Sequence, residues 1–417
     1  MPLTFLLRAP SPPPYDRRHK GYGTSSPRPR DIVSTVAGRV LRRSPAALLM
    51  LLVPCALLIY VFTHPVRSLS LARTSISQKI MAMHAPSLAP STATPSRILL
   101  VSAYFPLNKS KHSQFEYHKW LLNFVGQVKT DMYVFVPPEM EEVIQDMRED
   151  LPIYINTTYS SISDLPPLSP LQDSFNAQHY IDPEAAKRSA ELYMIWAAKP
   201  YFVREAIQNV KLAGYGVDYQ ENGGNYDYVF WIDAGSMREP HAFVDWPNFD
   251  KVEQIWNNGS RLTGTPAEDL ILIPLEHPIP KRFAAWEERD GPIDAGDKTS
   301  SSEGSLFGGK PKALEWWLDA YFSYMRYYLS EGHFIGNDQS IMNALFMLYP
   351  ERFITVWNRD PRAPSSPGLS HYGGLGYCGD PWYYYISWMG KDVERKRMNA
   401  IRRSNPGGDR RSSPHLW

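Results

Sequence analysis

Cysteine is scarce in this chain: Cys55 and Cys378 are the only two among 417 residues. That excludes a disulfide-rich scaffold and any structural zinc site built on several thiolates. Net charge is also scarce, +1 from 44 Lys and Arg against 43 Asp and Glu, which argues against a dedicated nucleic-acid binder. No internal repeat is present. The sequence lacks GxSxG, HExxH and GxxxxGK[ST] patterns, and no GxGxxG follows a strand. Nucleophile-elbow, zincin, P-loop and nicotinamide-binding chemistries therefore have no signature here. What is present, 43% hydrophobic and 21% charged residues, suits one domain of about 250 to 300 residues with tails, or two smaller domains.

The charge is unevenly spread. Residues 1–45 carry nine Lys or Arg and two acids, residues 391–417 eight and three, and the stretch between them has a net charge of −11. An acidic body repels a polyphosphate backbone, so no nucleic-acid partner is expected. Ala46 to Phe62 reads AALLMLLVPCALLIYVF, seventeen residues without a charge, roughly 26 Å of helix. That suffices for a short transmembrane span, and residues 46–63 are expected to be a signal anchor. Arg39, Arg42 and Arg43 precede it, which places the N-terminus in the cytosol and the remainder in the lumen. A cleaved leader would have a shorter basic region, and the prolines of the first 30 residues would spoil a mitochondrial amphipathic helix. Residues 1–45 read as a basic, Pro-rich disordered tail, 64–96 as a stem, 97–389 as the globule and 390–417 as a second basic, disordered tail. With Cys55 in the membrane span, no intrachain disulfide is expected. Sequons at Asn108, Asn156 and Asn258 agree with a lumenal location.

Within the globule, RILLVSAYF (97–105) and MYVFV (132–136) predict buried strands, and Phe115 to Val125 a helix between them: a βαβ unit with a parallel pair. A helix from Ala190 to Ile207 leads to YDYVFWIDAGS (226–236), whose apolar run ends in Asp233. LILIPL (270–275) predicts another strand, residues 276–305 a long loop, and the stretch from Gly308 and Gly309 onward a helix with an apolar stripe from Leu314 to Tyr328. Asp338 and Gln339 begin a further helix. Alternating elements of this kind predict an α/β sandwich with a mostly parallel sheet and its chemistry at the carboxyl ends of the strands.

Asp233 is the first candidate, a carboxylate delivered by an apolar strand into a Gly-containing turn, against the plain alternative of a turn-forming Asp. Asp338 is the second, as a general base or acceptor-binding carboxylate, against the alternative of a helix cap. Lys199 stands in apolar YMIWAAKPYFV, where an ammonium needs an anion such as phosphate, unless it snorkels to the surface. Arg238 follows the Asp233 turn as a second cation. His371, in GLSHYGGLGYCGD, is a candidate late metal ligand.

The series YMIWAAKPYFVREAI, YDYVFWIDAGSMRE, EGSLFGGKPKALEWW and GNDQSIMN resembles GT-A-fold glycosyltransferases, most closely the HtrL/YibB-like family, over about residues 97–360. Fungal galactosyl- and mannosyltransferases of the Golgi show a similar run. The resemblance implies a nucleotide-diphosphate-sugar donor bound by Lys199, Asp233, Arg238, Gly308, Gly309 and Gln339, with Asp338 catalytic. It implies that Gly308 and Gly309 let backbone approach the transferred sugar and that Asp233 is a ribose or metal contact; a Mn2+ or Mg2+ at Asp233 then needs the diphosphate, water and His371 to complete its shell. The usual Asp-x-Asp is here Asp233, Ala234, Gly235, so the second carboxylate is missing. The expectation is a single-pass Golgi glycosyltransferase acting on a glycan or glycoprotein acceptor. Two other readings are a membrane-anchored carbohydrate-binding or scaffold protein that kept the fold without catalysis, and a hydrolase using Asp233 and Asp338 as acid and base.

Overall fold

Alternation of buried side chains builds a sheet with two apolar faces. In strand β1, Ile98–Ala103, Leu99 and Val101 enter one core while Ile98 and Leu100 enter the other, the period of two that a doubly covered strand requires. The computed structural model describes residues 98–404 apart from 108, 111, 214–225, 294–300 and 358–382. The proposed anchor at 46–63, the basic leader, the stem, His371 and both cysteines lie outside the described residues. Among those described, no helix is long and apolar enough to cross a membrane.

β1 leads through helix α1, Gln114–Val125, to β2, Asp131–Phe135, and the two strands pair in parallel, as the sequence predicts. Ser113 and Glu116 close a capping box at the start of α1, satisfying its first free N–H groups. Helix α2, Glu141–Arg148, and β3, Ile153–Asn156, continue the parallel series. After helix α3, Gln172–Gln178, the long helix α4, Ala190–Ala213, crosses to β4, Tyr228–Ile232, which lies parallel to β1. Helix α5, Phe249–Thr263, precedes β5, Ile271–Leu275.

The sheet then turns mixed. Strand β6, Leu306–Gly309, runs antiparallel to both β4 and β5. It is followed by helix α6, Pro311–Ser330, helix α7, Asp338–Leu348, and strand β7, Phe353–Trp357, which is parallel to β5. The seven strands take the order β3-β2-β1-β4-β6-β5-β7. Helices α4, α6 and α7 cover one face; α1, α2, α5 and a short helix α8, Tyr384–Met389, cover the other.

Two expectations are corrected. Gly308 and Gly309 belong to a central strand and not to the entry of a helix; LFGG carries too few side chains to read as a strand, and its pairing comes from strands distant in sequence. Residues 392–404, expected to be disordered, form helix α9, Asp392–Ser404. Its Glu394 is buried and accepts from the backbone N–H groups of Val244 and Asp245 at 2.9 and 3.0 Å, and Met398 is buried against the same segment.

Candidate functional site

The strand order reverses at β1, whose two neighbours are β2 and β4. Beyond the carboxyl ends of the strands at such a reversal an open α/β sheet has its natural crevice. Tyr104 leaves β1 there, and Asp233 leaves β4. The side chain of Asp233 is 32% exposed, although all five residues of β4 are buried. Its backbone N–H donates to Ser305 O at 2.9 Å, and Ser236 N–H donates to its carbonyl at 3.0 Å. Trp231 stands two residues earlier, on the same side of the strand, and its Nε1 donates to Asp233 Oδ1 at 2.7 Å.

Lys199 does not snorkel. It shares the buried stripe of α4 with Phe202, Val203 and Ala206, the i, i+3, i+4, i+7 spacing of one helix face, and so points at the sheet. Its Nζ lies 3.1 Å from Asp233 Oδ1, 2.9 Å from Asp338 Oδ2 and 2.9 Å from the carbonyl of Gly304. An ammonium has three N–H bonds, and here it faces three acceptors. Burial alone would lower its pKa, but Asp233 and then Asp338 outweigh that and hold Lys199 protonated, above the ordinary range.

Asp338 is the first residue of α7, and the cap is its neighbour: Asn337 Oδ1 accepts from Gln339 N–H at 3.1 Å. Asp338 Oδ1 accepts from the same Gln339 N–H at 2.9 Å, so this carboxylate shares the capping of α7 while its Oδ2 faces Lys199. Its side chain is 7% exposed, and burial, seconded by Asp233, raises its pKa against the pull of Lys199. Gln339 reaches away from the carboxylates, donating Nε2 to Ser302 O at 2.6 Å. One turn later Asn343 accepts from Ser302 N–H at 3.0 Å. The polar residues of GNDQSIMN thus hold residue 302 beside the end of β5, where it bridges to Leu275.

The sequence reading missed Gly304. A Cβ there would come within 2.8 Å of Asp338 Oδ2, so only glycine lets the carboxylate and the Lys199 contact coexist. The pair singled out instead, Gly308 and Gly309, lies deeper in the sheet. A Cβ on Gly308 would fall 2.1 Å from the Phe230 ring, and one on Gly309 2.9 Å from the Leu270 carbonyl. Packing between strands explains both glycines.

Arg238 borders the same crevice. Its guanidinium lies 4.4 Å from the Trp120 ring and 5.3 Å from the Tyr383 ring, and Nε donates to Gly235 O at 3.3 Å. Tyr117, whose pKa is raised by burial, feels both Arg238 and Asp233. Gly235, at the place of the missing second carboxylate, packs on Trp120, whose ring would stand 3.2 Å from an added Cβ.

Glu303 also escaped the sequence reading. It is half-buried, its N–H donates to Pro274 O at 2.9 Å, and Oε1 accepts from Ser305 N–H at 3.1 Å. Burial first, then Glu276 and Asp233, push its carboxyl up to about 8. Tyr385 from α8 closes the back of the crevice, its hydroxyl 2.7 Å from Ser305 Oγ and 3.3 Å from Ser236 Oγ. The only sequence signal for this group was polarity before the apolar run at 306.

Of the two expected metal ligands, Asp233 is described and His371 lies outside the described residues. The two convergent carboxylates are spanned by the Lys199 ammonium, and among the described residues no group of three or more His, Cys, Asp or Glu is set to hold an ion. The Lys199 ammonium stands between the two carboxylates that the hydrolase reading takes as acid and base.

No family model matches the chain, and no curated protein matches it. Among solved structures it is similar to that of mouse xyloside xylosyltransferase 1, apo form, at 12% identity, covering 70% of this chain and 94% of that one with a TM-score of 0.32. A likeness that distant decides nothing about the chemistry.

Proposed function

We propose that the chain is a glycosyltransferase that moves a sugar from a nucleoside-diphosphate donor to a glycan or glycoprotein acceptor, anchored by residues 46–63 with its globule in the Golgi lumen. The observation that carries this reading is the convergence of Lys199, Asp233 and Asp338 at the carboxyl end of β4, beside the point where the strand order reverses. Arg238 is the cation suited to the diphosphate, stacked and oriented by Trp120 and Tyr383. Asp233 meets the donor, oriented by Trp231 and Lys199. Lys199 acts through the carboxylates it holds and is a positioning residue in this scheme. The HtrL/YibB-like resemblance is in keeping with this reading, and metal dependence is part of what the test decides.

The test is thermal-shift screening of the full-length protein with UDP- and GDP-sugars, with and without Mn2+, on wild type and Asp233→Ala. A ligand-specific rise in melting temperature that Asp233→Ala abolishes is expected. No rise with any nucleotide, from folded protein, overturns the transferase reading. A second reading, a non-catalytic carbohydrate-binding protein, is favoured by the burial of Asp338 behind Lys199. It requires binding without turnover, and function indifferent to Asp338→Asn.

A further inference from the structure

Two of the three sequons, Asn156 and Asn258, lie among the described residues, and their amides are in opposite situations. Asn156 ends β3 with its amide used inside the fold: Nδ2 donates to the Tyr133 hydroxyl at 3.0 Å, and Oδ1 accepts from Thr158 N–H at 2.9 Å. Tyr133 is 7% exposed and takes a second amide, Asn209 Nδ2, also at 3.0 Å. Glycosylation would replace one hydrogen of Asn156 Nδ2 by a sugar beside that buried ring. Asn258 is exposed in the C-terminal half of α5. Its Oδ1 accepts from Arg261 Nη2 at 3.0 Å, and among the described residues nothing accepts from its Nδ2. Gly259, next to it, packs at the amino end of β7, where an added Cβ would stand 2.4 Å from Ile354 Cγ2. A bulky group on Asn258 therefore projects from the end of the sheet opposite the crevice. Asn257, Asn258 and Gly259 are also poor helix formers, so this turn is helical through the packing of Trp256 and Gly259, and before the sheet assembles the triplet is free to be read as extended chain.

We infer that in the folded protein Asn258 carries an N-linked glycan and Asn156 does not. This rests on the lumenal placement proposed above. Nδ2 of Asn258 attacks the anomeric carbon of an oligosaccharide carried on a lipid pyrophosphate: the C1–N bond forms, the C1–O bond breaks, the lipid pyrophosphate leaves with the electron pair, and Nδ2 gives up one proton. Oδ1 is untouched, so the hydrogen bond from Arg261 survives. Leu262, 82% exposed and one turn further along the same face of α5, gives the first sugar an apolar surface to lie on.

The experiment is mass-spectrometric mapping of intact glycopeptides from the full-length protein, produced in a eukaryotic host and purified folded, for wild type, Ser260→Ala and Asn156→Gln. The expected result is a glycan on the Asn258 peptide and a bare Asn156 peptide. Ser260→Ala removes the hydroxyl that the triplet needs while keeping Asn258 and its bond to Arg261, and it abolishes the glycan at 258. Asn156→Gln leaves the glycan pattern unchanged. A glycan on Asn156, or on Asn108 with none on Asn258, overturns the assignment while the lumenal placement stands. A chain bare at all three sequons overturns the lumenal placement and the assignment with it. Should Ser260→Ala not fold, the wild-type map decides alone.

Discussion

Lys199 shows how one residue can hold a site together. Removing its ammonium leaves Asp233 and the buried Asp338 facing each other without a cation, and breaking a buried pair from one side costs about 3 to 5 kcal/mol. Lys199→Met is therefore expected to lower stability by that order at pH 7, measured by urea unfolding. The pH dependence has a definite sign. Asp338 is already raised by burial and by Asp233, with Lys199 pulling it down; without Lys199 it rises further, so the folded variant holds a proton more tightly than the unfolded chain does. The deficit relative to wild type accordingly shrinks as the pH falls from 7 toward 5. A deficit independent of pH would show that the lysine contributes packing alone.

At the scale of elements, Arg148 does for the outer sheet what Lys199 does for the crevice. It is wholly buried at the end of α2. Its guanidinium donates to the carbonyls of Val125 and Thr130 at 2.7 Å each and Pro152 at 2.8 Å, and also to Val128. One side chain thus ties the end of α1, the approach to β2 and the approach to β3, which is why burial can pull its pKa down to about 10 without releasing it. Arg148→Met orphans these carbonyls and is expected to cost about 3 kcal/mol or more, read as a lower urea midpoint with an unchanged slope. Sequence pattern made the long, strongly apolar elements legible: β1, β2, β4, β5 and helices α1, α4 and α6 lie within a few residues of where periodicity puts them. It failed for β6 and α9, because LFGG has almost no side chains to pattern and DVERKRMNAIRRS looks solvated until Glu394 and Met398 meet the segment around residue 244. Asp233, Lys199 and Asp338 were legible as polar residues in apolar surroundings. Gly304 and Glu303 were not, since their role depends on contacts from α4 and the end of β4, about 100 and 70 residues away.

For the molecule as a whole, the crevice leaves a signature in the dependence of stability on pH. Glu303 titrates near 8 when folded, against an ordinary value of 4.5. Between those values the folded chain keeps a proton that the unfolded chain has released, so unfolding liberates it and stability falls as the pH rises through the window, levelling off above 8. Asp338 is raised as well and contributes with the same sign, on a globule whose middle stretch already carries a net charge of −11. Glu303→Gln keeps an acceptor for Ser305 N–H but cannot titrate. Its melting temperature is expected to approach that of wild type at pH 5 and to exceed it by a growing margin up to pH 8.5, followed by scanning calorimetry across the range. A constant margin would mean that Glu303 ionises as an exposed carboxyl does, and that solvent, rather than Asp233 and Glu276, sets the potential at the rim of the crevice.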